Sequence, residues 1–176
     1  MGARPIIAED LGEADKEAAV LRKKFDIPGM SILQFAFGEN AITNGNLKIL
    51  DNEINVVYTG THDNDTTIGW FQTLPESVIS TQTAADIVKE RERALKFLGT
   101  DGSEINWELI SLALHSKANT VVIPLQDILG LGTESRMNIP GTVRNNWEWR
   151  FKNIYISSDI IERMRTLTEE SKRMKG

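Results

Sequence analysis

Residues 56–66 read Val56-Val-Tyr-Thr-Gly-Thr-His-Asp-Asn-Asp-Thr66, in which a short apolar run ends in a group of polar and acidic side chains. The run is too short for a helix, and its continuous apolarity is typical of a strand covered on both faces, as in a parallel sheet. Three further apolar runs are flanked by turn residues in the same way, at residues 5–9, 31–37 and 120–124. We therefore predict about four parallel strands.

Helix-forming patterns lie between these strands. We predict helices over residues 13–25 and 84–98, a third that is capped by Asn106, and a last one that starts near Asp159 with Glu162 as its capping partner. The alternation of strands and helices favours an α/β fold with parallel strands, right-handed crossovers and helices on the outside.

The composition excludes several classes of protein. The chain has 176 residues, with 20 Lys and Arg against 25 Asp and Glu, and this net charge of −5 does not suit a nucleic-acid-binding protein. It has no cysteine, so a disulfide framework, a thiolate metal site and a cysteine nucleophile are excluded. No run reaches the roughly 18 apolar residues that cross a bilayer. We expect a single cytoplasmic domain over residues 1–176, with no nucleic-acid or membrane partner.

Three of the predicted strands deliver carboxylates to one rim of the sheet. Glu9 and Asp10 follow the first, Asp63 and Asp65 the third, and Asp127 the fourth. The carboxyl ends of parallel strands meet at one edge, where α/β proteins bind their ligands. Two carboxylates from different strands could act as acid and charge stabiliser in glycosyl or phosphoryl chemistry. For Asp10 and Asp127 the alternative is a cap on the next helix, the commoner role for a single acid.

The segment around Asp63 has a second interpretation, as a divalent-metal site. His62, Asp63 and Asp65 are residue types that bind such ions, so a metal-dependent hydrolase is a rival hypothesis. An EF-hand calcium loop starting at Asp63 does not fit, since its sixth position would be Ile68 rather than glycine. The other histidine, His115, lies inside a predicted helix, which disfavours a histidine-rich zinc site.

The tryptophans give a weaker indication of a binding site. Trp147 and Trp149 lie in the segment Asn145-Asn-Trp-Glu-Trp-Arg150, where they either stack on a sugar or pack a helix against the sheet. Trp107 has the spacing of a core residue of its helix.

Three motifs occur in the order found in a known family. They are Ile7-Ala-Glu-Asp-Leu-Gly12, Tyr58-Thr-Gly-Thr-His-Asp-Asn-Asp-Thr66, and Arg136-Met-Asn-Ile-Pro-Gly-Thr142 followed by Asn146-Trp147. So arranged, the chain resembles the C-terminal part of the 4-alpha-glucanotransferases, also called amylomaltases or disproportionating enzymes, over essentially its whole length. The resemblance implies a (β/α)8 TIM barrel that transfers segments of α-1,4-glucan to glucose or maltooligosaccharide acceptors by a retaining mechanism, without a cofactor or a metal.

The resemblance also assigns roles to single residues. Glu9 is similar to the family's general acid/base, a carboxyl that must hold a proton near neutral pH. Asp63 resembles the carboxylate that holds sugar hydroxyls and stabilises the oxocarbenium-like state. His62 resembles a ligand of the sugar hydroxyls beside the cleaved bond, and Asn138 resembles a further substrate-binding residue.

The resemblance further implies that one catalytic group is missing. The family's nucleophilic aspartate lies on the barrel strand before the one that ends at Glu9, in a segment that would precede Met1. Since a whole barrel takes about 250 residues, we expect residues 1–176 to form the C-terminal half of a TIM barrel that transfers no glucan by itself. The alternative is a half-barrel module that binds glucans without catalysis. Because barrel closure removes sheet edges, we expect self-association, or complementation by an N-terminal half.

Overall fold

The computed structural model describes residues 6–9, 16–39, 41–43, 46–47, 50, 55–77, 82–152 and 155–174. Its strands are β1 (Met30–Ile32), β2 (Ile42–Thr43), β3 (Asn46–Leu47), β4 (Val56–Tyr58) and β5 (Thr120–Val122). Its α-helices are α1 (Lys16–Lys24), α2 (Thr67–Gln72), α3 (Ala84–Leu98), α4 (Ile105–Leu114), α5 (Leu125–Ile128) and α6 (Ser158–Glu170). None of the helices in these ranges is long and apolar enough to cross a membrane.

Strands β1, β4 and β5 form a parallel sheet in that order, while β2 and β3 form a small antiparallel hairpin. The predicted strands at 56–59 and 120–124 contain β4 and β5. The predicted strand 31–37 is confirmed only at its start, because β1 ends at Ile32 and Leu33–Phe35 form a 3₁₀ helix. The fourth prediction, residues 5–9, is not confirmed, because residues 6–9 have no regular secondary structure. The Ala8 N–H donates to the Pro28 carbonyl at 2.8 Å, just before β1. That bond places residues 6–9 near the edge of the sheet, but a strand needs a continuing ladder of such bonds.

Helices cover one face of the parallel sheet. Side chains alternate along a strand, and Val57 and Val121 point to the face where the core lies. Buried members of this core are Leu33, Ala36, Phe37, Leu47, Ala94, Leu109, Ala113 and Ala118. Tyr58 and Val122, which pair in register across β4 and β5, point to the opposite face. Val122 is 42% exposed there, so the described residues leave this second face partly open.

The ends of α3 are set by local sequence signals, and the predicted range 84–98 is confirmed. At its start Thr83 and Asp86 form a capping box, in which each side chain accepts the other residue's backbone N–H. At its end Gly99 has φ +68°, a left-handed conformation that glycine adopts without steric cost.

The predicted start of α4 is wrong. Its N-cap is Glu104, and Asn106 lies inside the helix, 4% exposed. The Asn106 amide donates to the Asp127 carbonyl at 2.8 Å. A buried amide needs such a partner, and this long-range bond is what takes Asn106 away from the capping role.

The predicted start of α6 is close but its capping group differs. Ser157, not Asp159, is the N-cap, and its hydroxyl accepts the Ile160 N–H at 3.3 Å. Glu162 pairs with Arg165 at 3.3 Å instead of closing a capping box.

Two arginines attach α6 to α4. The Arg163 guanidinium donates to both carboxylate oxygens of Glu104, at 2.6 and 2.8 Å, and lies 4.3 Å from the centre of the Trp107 ring. Arg173, just after α6, donates to the backbone carbonyls of Leu114, Ser116 and Ala118, at and just beyond the end of α4, at 2.6–2.9 Å. Trp107 is therefore half-buried beneath an arginine, which corrects its assignment to the core.

Candidate active site

A cavity of about 470 Å³ lies at the carboxyl ends of β4 and β5, a size typical of small-molecule sites. Glu9, His62 and Asp63 line it, together with Tyr58 and Val122 of the face opposite the core. Glu9 is exposed, and the side chains of His62 and Asp63 are 55% and 46% exposed. The structure therefore brings the two predicted catalytic carboxylates and the predicted sugar ligand His62 to one cleft.

The loop that carries His62 and Asp63, residues 60–66, is closed at both ends by one buried carboxylate. Asp127 accepts the Thr59 hydroxyl on Oδ2 at 2.6 Å and the Thr67 backbone N–H on Oδ1 at 2.7 Å. Thr59 is the residue before the loop, and Thr67 is the first residue of α2 after it. All three residues are at most 1% exposed. Asp127 thus holds the two ends of the loop together from outside it.

Burial raises the pKa of the Asp127 carboxyl above its ordinary value, while the bonds from Thr59 and Thr67 act against that rise. The expectation that Asp127 caps the next helix is wrong, because it lies inside α5, whose N-cap is Pro124. Its carboxylate instead satisfies an N–H in the first turn of α2, which has no partner within that helix. The other acid considered for a cap, Asp10, lies outside the described residues.

Polar contacts position Asp63 within the loop. The Asn138 side chain donates to Asp63 Oδ1 at 2.6 Å, and His62 Nε2 lies 3.4 Å from the same oxygen. Arg136 donates to the Asp63 backbone carbonyl at 2.6 Å and to the Asn138 carbonyl at 2.8 Å. The predicted substrate-binding residue Asn138 is thus in direct contact with the predicted stabiliser Asp63.

The rival metal hypothesis has no support in the described residues. Within those ranges no three His, Asp or Glu side chains converge in a way that could hold a metal ion. The Asp65 carboxylate points elsewhere, since it accepts the Thr66 N–H and the Thr133 hydroxyl, each at 2.8 Å. It fixes the loop rather than joining His62 and Asp63.

A second cavity, of about 590 Å³, is formed by residues 142–148 together with Asn138. Trp147 lines it, and its ring centre lies 5.0 Å from that of His62. The Trp147 backbone has φ +64°, and its N–H donates to the Met137 carbonyl at 2.6 Å.

Sequence reasoning missed Arg136, which lines the cavity and holds the backbone on either side of the Asp63–Asn138 contact. Arg136 precedes Asn138 by two residues in the motif Arg136-Met-Asn-Ile-Pro-Gly-Thr142, and this position in the motif could have indicated its role. The anchoring role of Asp127 had no local signal, because its partners lie 60 and 68 residues away.

Comparison with known proteins gives a consistent result. A model of glycoside hydrolase family 77, described as 4-alpha-glucanotransferase, matches residues 1–157. The 4-alpha-glucanotransferase of Synechocystis sp. is 42% identical over 169 residues, which are 94% of this chain and 30% of that protein. The chloroplastic/amyloplastic 4-alpha-glucanotransferase of Arabidopsis thaliana is 43% identical, over 95% of this chain and 28% of that protein.

Among solved structures, amylomaltase from Streptococcus agalactiae in complex with acarbose superposes with a TM-score of 0.83 at 27% identity. The match covers 99% of this chain and 33% of that one. The chain therefore spans about a quarter to a third of the length of the relatives that it matches.

Proposed function

The chain belongs to the 4-alpha-glucanotransferase family, and from this premise we propose that it supplies the acid/base side of an active site that transfers α-1,4-glucan segments. The observation that carries the proposal is the single cleft lined by Glu9, His62 and Asp63, with Asn138 bonded to Asp63. Three separate family motifs supply these residues, and the fold brings them together.

We propose further that the parallel sheet is part of a TIM barrel. Its strands are neighbours in chain order, as in a barrel, and α3 and α4 pack on the face where the core lies. The cleft opens on the other face, at the carboxyl ends of β4 and β5, where barrel enzymes place their chemistry. The superposition on an amylomaltase supports this arrangement.

In the proposed reaction, the Glu9 carboxylic acid protonates the oxygen of the scissile glycosidic bond as that bond breaks. A nucleophilic carboxylate about 5–5.5 Å away takes the sugar carbon in a retaining mechanism. Glu9, now a carboxylate, then removes the proton from the hydroxyl of the incoming glucan, and the new glycosidic bond forms. Among the described residues, the family motifs assign the acid/base and the stabiliser but not the nucleophile.

Asp63 and His62 act on the sugar at the cleaved bond in this proposal. The Asp63 carboxylate accepts sugar hydroxyls and stabilises the positive charge that develops on the ring, an interaction strongest in the transition state. Asn138 donates to Asp63 Oδ1 at 2.6 Å and so fixes the direction of that carboxylate. The substrates that fit are α-1,4-glucans and maltooligosaccharides. The cytoplasmic location and the self-association or complementation stay predictions.

The test is disproportionation of maltotriose by the intact protein, meaning residues 1–176 complemented by the nucleophile-bearing N-terminal half expected above, and by its Glu9→Gln and Asp63→Asn variants. We expect the wild type to produce a ladder of longer and shorter maltooligosaccharides, and each variant to lose at least about a hundredfold in kcat, the usual weight of a general acid/base. Glu104→Gln, at the N-cap of α4 and outside the cavity lining, is the matched control and should transfer normally. Binding of maltotriose without a ladder by the wild type would instead favour the non-catalytic glucan-binding module.

A further inference from the structure

We propose that Asp65 is a positioning residue for glucan transfer, because its bond to Thr133 holds two segments of the site in a fixed relation. The two segments are the loop of residues 60–66, which carries Asp63, and the stretch of residues 133–138. The inference rests on the proposed function and adds to it a residue that acts through Asp63 rather than on the substrate.

The Asp65 carboxylate bonds to both segments at once. Its Oδ1 accepts the backbone N–H of Thr66 at 2.8 Å, and its Oδ2 accepts the Thr133 hydroxyl at 2.8 Å. Thr133 is the first residue of a 3₁₀ helix, Thr133–Ser135, and Arg136 follows that helix directly. The Arg136 N–H donates back to the Thr133 carbonyl at 3.0 Å, so a shift of Thr133 is passed on to Arg136.

The two segments meet a second time at Asp63. The Arg136 guanidinium donates to the Asp63 carbonyl at 2.6 Å, and the Asn138 side chain donates to Asp63 Oδ1 at 2.6 Å. The stretch 133–138 is thus attached to the loop near both of its ends. Loss of the attachment at Asp65 would let this stretch turn about the contacts that remain. The Asp65 bond therefore helps to set the direction from which Asn138 meets the Asp63 carboxylate.

The Asp65–Thr133 bond is seated on the first turn of α2. Gly69 of that turn is buried against both partners: a Cβ there would collide with the Asp65 carboxylate and lie 2.5 Å from the Thr133 hydroxyl oxygen. Glycine, which has no Cβ, admits this close approach. The Gly69 N–H donates to the hydroxyl of Thr66, the N-cap of α2, at 3.0 Å. The start of α2 therefore supports the bond from below.

The position of Asp63 matters because of its role in the proposed reaction. Its carboxylate stabilises a charge that is largest in the transition state, so a misdirected Asp63 should lower kcat more than it raises KM. Thr133 is exposed, so water replaces the lost partner when the bond is removed, and the free energy of unfolding should change little. The expected signature is a loss of kcat without a loss of stability.

The experiment compares Thr133→Val, Thr133→Ser and the matched control Thr73→Val in the intact protein. Thr133→Val removes the hydroxyl donor, and Thr133→Ser keeps it. The Thr73 hydroxyl lies 3.2 Å from that of Thr133, and Thr73→Val leaves the bond to Asp65 in place.

We expect Thr133→Val to lower kcat on maltotriose about tenfold, with KM changed by less than about twofold. This loss is smaller than the roughly hundredfold cost of a 1 Å displacement, because the bonds from Arg136 and from Gln126 to Ser135 remain. Thr133→Ser and Thr73→Val should both transfer like the wild type, and thermal unfolding of all three variants should match it.

A double-mutant cycle distinguishes this route from an unrelated effect on activity. Asn138→Ala also acts through Asp63, so Thr133→Val should have a much smaller effect on kcat once Asn138→Ala is present. Gly69→Ala leaves both bonding groups in the chain but pushes them apart, and it should reproduce the kcat loss. Equal losses from Thr133→Val with and without Asn138→Ala would contradict the route through Asp63.

Amide hydrogen exchange tests the attachment without any turnover. Thr133→Val should speed the exchange of backbone N–H groups in residues 60–66 and 133–138, and Thr73→Val should not. Unchanged kcat in Thr133→Val, or unchanged exchange in both segments, would overturn the positioning role while leaving transfer activity intact. A wild type that transfers no glucan would instead overturn the proposed function, and with it the catalytic consequence of the bond.

Discussion

Replacing Asp127 should loosen the catalytic loop, because this one carboxylate holds both ends of residues 60–66. In Asp127→Ala the Thr59 hydroxyl and the Thr67 N–H lose their acceptor while both residues are fully buried. An unsatisfied buried donor costs about 1–3 kcal/mol, so two donors should lower the free energy of unfolding by about 2–6 kcal/mol. That is a large part of the usual 5–15 kcal/mol of a domain.

Asp127→Asn removes the negative charge of the carboxylate while leaving a side chain that can still bond to Thr59 and Thr67. The amide oxygen can accept the Thr67 N–H, and the amide nitrogen can donate to the Thr59 oxygen once that hydroxyl has rotated. We therefore expect Asp127→Asn to lie within about 1.5 kcal/mol of the wild type, the net value of one ordinary hydrogen bond. Denaturant unfolding of the intact protein, with wild type and both variants side by side, measures these differences.

The raised pKa of Asp127 adds a pH dependence with a definite sign. The folded protein binds the Asp127 proton more tightly than the unfolded chain, so between the ordinary and the raised pKa the folded state carries more protons. Stability from this group therefore falls as pH rises through that window, which starts near the ordinary aspartate pKa of about 3.9. The side chain in Asp127→Asn does not titrate. The free energy of unfolding of this variant, relative to that of the wild type, should therefore improve as pH rises above about 3.9.

Transfer activity should follow the same order as stability, with the wild type and Asp127→Asn above Asp127→Ala. Loss of both loop anchors lets His62 and Asp63 move, and a displacement of 1 Å can cost about a hundredfold in rate. Asp127→Ala should therefore lose transfer activity even below its unfolding temperature, and Asp127→Asn should keep most of it. Equal stability of the alanine variant and the wild type, or an asparagine variant as damaged as the alanine one, would refute this account of the loop.

Three further predictions concern other parts of the molecule. Asn138→Ala removes the 2.6 Å bond to Asp63 Oδ1, so kcat on maltotriose should fall while thermal unfolding is nearly unchanged, and Asn138→Asp should be worse because it places a second carboxylate against the first. The Arg163 guanidinium holds the pKa of the Glu104 carboxyl below its usual range. The stability that this pair contributes should therefore be present above the ordinary glutamate pKa and should be lost as pH falls through the lowered pKa. Acid unfolding of wild type and Glu104→Gln measures this, because the stability of the variant should not show that loss. The 176-residue chain by itself should self-associate through the sheet face that carries Tyr58 and Val122, which sedimentation of a dilute sample would contradict by showing a compact monomer.

Much of the scaffold is predictable because its signals are local. The apolar runs that contain β4, β5 and most of β1 lie between turn residues, and α3 has its capping box and terminal glycine within its own sequence. The starts of α4 and α6 were predicted less well. Asn106 is a residue type that often caps helices, but its side-chain amide donates to the backbone carbonyl of Asp127 instead. No local sequence pattern predicts a partner 21 residues away.

The site is predictable in its residues but not in its connections. The motifs name Glu9, His62, Asp63 and Asn138, and the predicted strand ends place Glu9 and Asp63 at one edge of the sheet. The bonds that hold them there join residues 60 to 75 positions apart, such as Asp127 to Thr59 and Asn138 to Asp63. The stretch 5–9 shows the opposite case, since its apolar pattern predicts a strand that residues 6–9 do not form.

The role of Glu9 as general acid/base is tested most directly by a donor that needs no acid. Fluoride leaves a sugar without protonation, so Glu9→Ala in the intact protein should release the first equivalent of fluoride from α-maltosyl fluoride at a rate close to that of the wild type, while failing on maltotriose. Later turnovers should be slow, because the general base of the second step is missing. Added azide, which attacks without a general base, should raise turnover of this variant and give an α-configured glycosyl azide. Asp63→Asn should fail on both donors, since charge stabilisation is needed whatever the leaving group. A Glu9→Ala variant that is equally slow on both donors and unaffected by azide would contradict the assignment of Glu9.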